Sequence, residues 1–471
     1  MDFTYSEESF RDKPSNISGD NKRAWIYAKQ PSGRFTRYRM VVAYTLLGLF
    51  LSFPFVKVGG NPLFMFNLID RQFFLFGQIF WPQDFPLFLL FGLIFFVFII
   101  LFTAIYGRVW CGWTCPQTIL MEMVFRPIDY LIEGDFRQQR KLDESKWNAE
   151  KIRKKGLKHL IYIVISLIMA HASMAYLVGM NRVIELVSTS PLANLPGFLG
   201  LLLFTLVFYL VFSQVREIAC TVLCPYGRLQ SVLLTKSTAV VAYDFVRGEP
   251  RGKIKKTDAG LEIPKGDCID CKLCVQVCPT GIDIRNGTQM ECVNCTACMD
   301  ACDEVMVKVN KPKGLIRIDS LFGIENNAPF RFTTRIALYS LVLVGLMSVF
   351  GFLLMSRNTL EAKIMRVPGT LFQRTEQGMI TNMFNIQIIN KTNETQAVEL
   401  TTNLSGAIVR FVGESITLKP QGSESTVFFV DVPQKMLEDM KTDITFVLIV
   451  NGKEVQSVKN KFIGPTVNVK P

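Results

Sequence analysis

The sequence predicts a multi-domain protein: an α-helical membrane bundle of five spans, an inserted cysteine-rich module, and a C-terminal all-β sandwich of immunoglobulin-like form. Three observations carry this. The 471-residue chain is 49% hydrophobic and holds 38 Phe, too apolar for a soluble protein of its length. Cysteines crowd residues 268 to 302 in two runs of one pattern. After Ser356, long apolar runs give way to short alternating stretches.

Crossing a bilayer needs about 20 apolar residues. Five runs qualify: roughly 40–58, 85–107, 159–180, 196–215 and 335–356. Residues 1–38 form a polar leader without a long apolar stretch or small-residue cleavage site, so no cleaved signal peptide is expected. Basic residues divide the loops. Lys22, Arg23, Lys29, Arg34 and Arg37 mark the leader, Arg137, Arg140, Lys141 and Arg153 the 108–158 loop, and Arg216, Arg228, Lys236 and Arg247 the 216–334 stretch. Residues 59–84 carry only Arg71, and 181–195 only Arg182. Basic loops face the cytoplasm, which predicts an inside amino terminus, an inside cysteine module and an outside C-terminal domain. The net charge of +12 follows from this topology, and no nucleic-acid motif accompanies it. All twelve cysteines lie in segments assigned inside or at the inner surface, where thiols stay reduced.

Residues 59–84 suggest an interfacial or re-entrant segment, with Asp70-Arg71 at the headgroup boundary. Residues 141–158 suggest a charged cytoplasmic helix. A weak internal repeat runs through the bundle. Span two ends near Cys111-Gly112-Trp113-Thr114-Cys115-Pro116 and span four near Cys220-Thr221-Val222-Leu223-Cys224-Pro225. Each unit reads as a helical hairpin, a C-x3-C-P motif, then an amphipathic surface helix. The proline opens that helix, so each motif straddles a helix end. Both hairpins begin inside, and a pseudo-two-fold axis along the membrane normal would gather Cys111, Cys115, Cys220 and Cys224 at the inner surface.

Four thiolates there suit Cu(I), zinc, another iron–sulfur cluster or reversible dithiol chemistry. The plainer alternative is packing between helices. Met121 and Met123 offer thioethers to copper, although methionine in apolar helices usually packs. The two histidines, His159 and His171, lie about 18 Å apart on span three and do not clamp one haem. His171 suits an interhelical hydrogen bond, with a ligand or proton-relay role as the alternative.

The module rests on Cys268-x2-Cys271-x2-Cys274-x3-Cys278 and Cys292-x2-Cys295-x2-Cys298-x3-Cys302. This spacing wraps thiolates around cubane [4Fe-4S] clusters in two-cluster ferredoxins, where the fourth cysteine crosses to the other cluster. Cluster one then takes Cys268, Cys271, Cys274 and Cys302, and cluster two Cys292, Cys295, Cys298 and Cys278. Zinc prefers four ligands in separated pairs and fits poorly. Asp303 stands where a proline usually follows the last cysteine. The module is thus ferredoxin-like, spans roughly 266–306, and is entered through a linker at 237–267.

Strands are expected at 384–388, 397–400, 407–412, 415–418, 425–430, 445–450 and 454–462, with Asn451-Gly452 as a hairpin turn. Met436 and Met440, four apart in an expected short helix, favour packing over weak copper contact. The resulting domains are a leader at 1–38, a four-span domain at 39–236, the module with linkers at 237–334, a fifth span at 335–356 and the sandwich at 357–471.

At this point the chain resembles the cytochrome c oxidase accessory family CcoG, also called FixG or RdxA. The resemblance rests on Ile26-Tyr27, Gly33-Arg34-Phe35, Phe80-Trp81-Pro82-Gln83-Asp84-Phe85, both C-x3-C-P motifs, Arg247-Gly248-Glu249-Pro250-Arg251-Gly252, the double cysteine run and Lys313-Gly314-Leu315-Ile316-Arg317. It implies a bacterial inner-membrane protein that helps assemble a cbb3-type oxidase and reduces Cu(II) to Cu(I). The residues suggest a compatible route: a cytoplasmic donor, two clusters, then a metal near Cys111, Cys115, Cys220 and Cys224, where thiolates favour Cu(I). Copper chaperones or oxidase assembly factors would be its partners. The alternatives are a quinone-linked electron-transfer subunit without copper, and an assembly scaffold with structural clusters.

Overall fold

A computed structural model describes residues 23–67, 72–253, 265–329, 331–356, 360–369, 371–375, 378–392, 394–412, 416–420, 422–437, 439–450 and 452–465. The chain divides into two units, Met1–Val349 and Phe350–Pro471.

Among the described residues, five helices are long and apolar enough to cross a membrane: Arg34–Phe55, Phe85–Tyr106, Ala149–Val178, Leu195–Val215 and Thr334–Met355. They match the five apolar runs. The last one continues past the boundary between the units. The charged stretch before span three is not a separate helix. It forms the opening turns of the 30-residue helix Ala149–Val178, and Phe136–Glu144 precedes it. Asn148 sets the start, its side chain accepting from the Lys151 amide, and no proline interrupts the helix.

Residues 59–84, expected as an interfacial or re-entrant segment, contain β-structure. Strands Phe64–Asn67, Gln72–Leu75 and Gln78–Phe80 form an antiparallel meander. Aromatic residues at period two favour a pleated surface. Met65 and Asn67 are buried on one face while Phe64 and Phe66 are less so. Asp70 and Arg71 lie outside the described residues.

The helix after the first C-x3-C-P motif is not a surface helix. Pro116–Ile119, Leu120–Phe125 and Arg126–Glu133 run on as one rod with a π-helical middle, largely buried apart from Pro116 and Leu131. Leu120, Met121 and Phe125 pack against Tyr162, Met169 and Phe212. The polar face is buried because it is paired. Asp129 meets Arg216 at 2.9 Å and Lys158 at 3.3 Å, and Glu133 meets Lys155 and Lys158 at 2.9 Å each. Burial alone would raise the Asp129 carboxyl, but Arg216 and Lys158 outweigh it and hold the group below its ordinary value. This ionic lattice ties the rod to the third and fourth spans. In the second repeat, Pro225–Leu233 remains amphipathic, with Leu229 and Val232 exposed and Gln230 buried.

The expected linker is partly core. Val240–Tyr243 is a fully buried strand paired antiparallel with Ile316–Asp319. Val241, Tyr243, Leu315 and Ile316 pack with Cys268, Cys274, Ile284 and Met306 in the cysteine module.

The second unit is a two-sheet sandwich. One sheet orders Ile408–Phe411, Ser423–Pro433, Met379–Asn390 and Leu360–Arg366, with Gln373–Arg374 also on Met379–Asn390; the other orders Ile416–Leu418, Gln396–Thr402, Lys441–Val450 and Lys453–Ile463. Phe384, Phe428 and Phe446 form its centre, with ring centroids 5.1 to 5.6 Å apart. Every strand expected from the sequence is present. Leu360–Arg366 and Gln373–Arg374 were not anticipated. Gly452, at φ 75°, turns the last hairpin, and Asn451 lies outside the described residues. The expected helix at Met436 is a three-residue 3-10 turn, Gln434–Met436, so Met436 and Met440 share no helical face.

Candidate metal centres

The two cysteine runs fold alike. Residues on either side of the second cysteine are left-handed in both: Asp270 and Lys272 around Cys271, Asn294 and Thr296 around Cys295, with φ from 53° to 64°. Asp and Asn tolerate this backbone, but β-branched Thr296 is strained there. Its hydroxyl donates to the Cys295 carbonyl at 2.6 Å. These reversals curl each run into a cup.

The cups close two small hollows. Cys268, Cys271, Cys274 and Cys302 line the first, with Tyr243 and Met306; Cys278, Cys292, Cys295 and Cys298 line the second, with Val241 and Ile282. The fourth cysteine of each run therefore crosses over, and Cys274 also borders the second hollow. Burial pushes the thiols of Cys274, Cys292 and Cys302 up to about 12, and that of Cys295 to about 11. Such thiols ionise only when a metal displaces the proton. Four sulfurs on a dry, apolar wall fit a cubane. Asp303 extends the helix Ala297–Lys308 beyond Cys302, where a proline would break it, and its carboxylate accepts from the Gly314 amide at 2.9 Å.

The C-x3-C-P repeat is equally legible in the backbone. Gly107, at φ 58°, and Arg216, at φ 53°, each follow a span, and a cysteine comes four residues later. Cys115 (ψ 125°) and Cys224 (ψ 110°) are extended, and Pro116 and Pro225 each open a helix. All four thiols gather: Cys111 feels the charges of Cys115 and Cys224, and Cys220 those of Cys115, Cys111 and Cys224. Burial pushes Cys111 up to about 11 and Cys220 to about 12. Among the described residues, no three His, Cys, Asp or Glu side chains converge tightly enough to hold a single metal ion.

This site abuts the second hollow. Cys111 shares an apolar cluster with Val277, Val293, Cys295 and Ala301, against which Cys298 also packs. Arg108 donates to the Met290 carbonyl, and Asn294 donates from its side chain to the Tyr106 carbonyl at 3.5 Å. Several residues at this junction were not singled out in the sequence. Gln230, fully buried, accepts from the Cys111 thiol at 3.0 Å, and the Thr118 hydroxyl lies 4.0 Å from the Cys220 sulfur. The burial of Gln230 depends on tertiary packing and leaves no mark in the local sequence.

Met121 and Met123 pack in separate apolar clusters, neither containing a cysteine. The interhelical hydrogen bond expected of His171 belongs to His159, which meets the Tyr209 hydroxyl at 3.0 Å. His171 donates through Nδ1 to the Leu167 carbonyl of its own helix at 2.7 Å.

Paired cysteine cups docked on apolar helices define a membrane iron–sulfur electron-transfer protein. The comparisons agree. Residues 215–321 match the family model of a 4Fe-4S dicluster domain and residues 88–138 that of a 4Fe-4S binding domain. Residues 350–465 match the immunoglobulin-like fold at the C terminus of FixG. The chain is 31% identical to nitrogen fixation protein FixG of Rhizobium meliloti, over 84% of this chain and 82% of that one. It is 32% identical to protein RdxA of Cereibacter sphaeroides, over 82% and 84%, and 30% identical to RdxB of the same organism, over 88% of each. The chain belongs to the FixG/RdxA family.

Proposed function

We propose that the protein carries electrons from a cytoplasmic donor to Cys111, Cys115, Cys220 and Cys224, where Cu(II) is reduced to Cu(I) for assembly of a cbb3-type oxidase. Cys268, Cys271, Cys274 and Cys302 hold one [4Fe-4S] cluster, and Cys278, Cys292, Cys295 and Cys298 the other. Such clusters exchange single electrons, matching the copper couple. The observation that carries this reading is the apolar cluster shared by Cys111, Cys295 and Cys298. It sets Cys111 against the apolar wall of the second hollow. Thiolates favour Cu(I), so the four membrane cysteines both accept the substrate ion and retain it once reduced. In this reading the protein sits in a bacterial inner membrane with the cysteine module inside. The sandwich faces the periplasm, where it meets a copper chaperone or oxidase assembly factor.

A second reading of the membrane thiols is a third cubane. It is favoured by the 4Fe-4S match at residues 88–138 and by the absence, among the described residues, of a three-donor cage for one ion. One experiment separates the two. Anaerobic protein is analysed for iron, then titrated with Cu(II) under EPR. For the copper reading, eight irons per chain are expected, with stoichiometric loss of the Cu(II) signal that disappears when the four membrane cysteines become serine. Twelve irons, falling to eight in that variant, establish the third cluster. Copper reduction undiminished in the serine variant rules out the membrane thiols as its site.

A further inference from the structure

The cysteine hollows have an order. The second lies against Cys111, and the first lies beyond it. Electrons bound for the membrane thiols therefore enter at the first. Next to it is an open cleft of about 750 Å³, bounded by Ser32 to Arg37, the helix Ala297–Lys308, and residues 313–317. That helix divides cleft from hollow. Cys302, Val305 and Met306 face the hollow, whereas Met299, Asp303 and Val307 line the cleft, and Ile316 borders both. A helix with its side chains is about 10–12 Å across, within the reach of direct electron transfer.

The lining of the cleft is net basic, with Arg34, Arg37, Lys308, Lys313 and Arg317 set against Asp300, Asp303 and Glu304. Its carboxylates are engaged. Asp300 accepts from the Phe35 amide at 3.0 Å and from the Thr36 amide and hydroxyl at 2.7 Å each. Asp303 accepts from Gly314, and Glu304 pairs with Lys308. Among the cations, Arg317 pairs with Asp244 and Asp319. Arg34, Arg37 and Lys313 are exposed, and among the described residues none has a carboxylate partner. Three exposed cations without an ion-pair partner thus ring a recess one helix away from the first hollow. Cys271, which lines that hollow, is the one exposed thiol of the twelve.

We propose that this cleft docks the electron donor, and that the donor is a small acidic one-electron carrier protein. The inference rests on the electron-transfer reading above. The reduced carrier loses one electron, the iron–sulfur group held by Cys268, Cys271, Cys274 and Cys302 gains it, and no bond or proton changes hands. Opposite charge steers the encounter and raises its rate, increasingly so at low salt.

The test uses full-length, iron-loaded protein in phosphatidylcholine nanodiscs and a photoreduced acidic [2Fe-2S] ferredoxin as probe. Stopped-flow absorbance follows reduction, and thermophoresis follows binding of the oxidised probe. Wild type should be reduced at a rate that falls with ionic strength. The triple variant R34E/R37E/K313E should lose about tenfold in rate and in affinity at low salt, and its salt dependence should flatten. K141E, on a different helix, should match wild type, and dithionite should reduce all three proteins alike. Should the triple variant lose iron, R37E alone carries the test, with a loss of about threefold. A rate within twofold of wild type in the iron-replete variant overturns the proposal. So does a loss seen only when anionic lipid is added, which would assign the cations to headgroups. Iron-loaded wild type that dithionite fails to reduce overturns the underlying reading as well, and is told apart by that control.

Discussion

Gly112 lies against Val293 so closely that a Cβ at position 112 would stand 2.4 Å from the Val293 carbonyl oxygen and 3.0 Å from the Asn294 backbone. From the other side, Arg39, only 3% exposed, donates to the Gly112 carbonyl at 2.7 Å. One glycine between the two motif cysteines is thus the seat on which the module rests. Gly112→Ala should destabilise this unit by about 1–3 kcal/mol, the usual cost of overpacking. Iron content should hold while electron delivery to added Cu(II) slows. Thermal unfolding, iron analysis and stopped-flow reduction check the three parts.

The crossed lining of the hollows gives a pairwise prediction. Cys268→Ser and Cys302→Ser should remove the same four irons, although the residues belong to different runs. Cys292→Ser and Cys278→Ser should remove the other four. EPR of the reduced single variants would show one surviving signal per pair. Signals that group by run would contradict the crossing.

Asp129 gives an acid-sensitive prediction. Its carboxyl is held below the ordinary 3.8. A group with a depressed folded value lends stability above the ordinary value and loses it as pH falls through the depressed one. Melting temperature should therefore drop below about pH 4, and Asp129→Asn should flatten that limb. At neutral pH the same variant should cost about 1.5–3 kcal/mol, because Arg216 and Lys158 each lose one charged partner and keep only Glu217 and Glu133. Melting curves of nanodisc-held protein across pH 3 to 8, a range set by that linkage, decide it.

Phe384 is fully buried between Phe428 and Phe446. Phe384→Ala should cost the sandwich about 3–5 kcal/mol and leave iron content untouched. Limited proteolysis should cut residues 357–471 first. Loss of iron in this variant would mean that the two units fold as one.

Spacing carried most of the chemistry. The cysteine runs gave the crossed hollows, and the repeated C-x3-C-P gave the gathering of four thiols, because both depend on local backbone turns at fixed offsets. The five spans were legible for the same reason, as length and apolarity decide them. What escaped was long-range. Nothing local to residues 126–133 indicates that their charges are buried, since Lys155 and Lys158 lie on the third span's helix and Arg216 in the turn after the fourth. Val240–Tyr243 looked like linker because its partner strand comes more than seventy residues later. The meander at 64–80 was hidden by its apolarity, which suits a membrane segment as well as a sheet.

Asp300 stands two residues before Cys302 and its carboxylate holds the opening turn of the helix Arg34–Ser52. A carboxylate clamped on a spanning helix transmits that helix's tilt. Bilayers thicker or thinner than the span change a helix's angle, and the Asp300 carboxylate joins this helix to the one that carries Cys298 and Cys302. The first long apolar helix and the second cysteine run are therefore anchored to each other through one side chain.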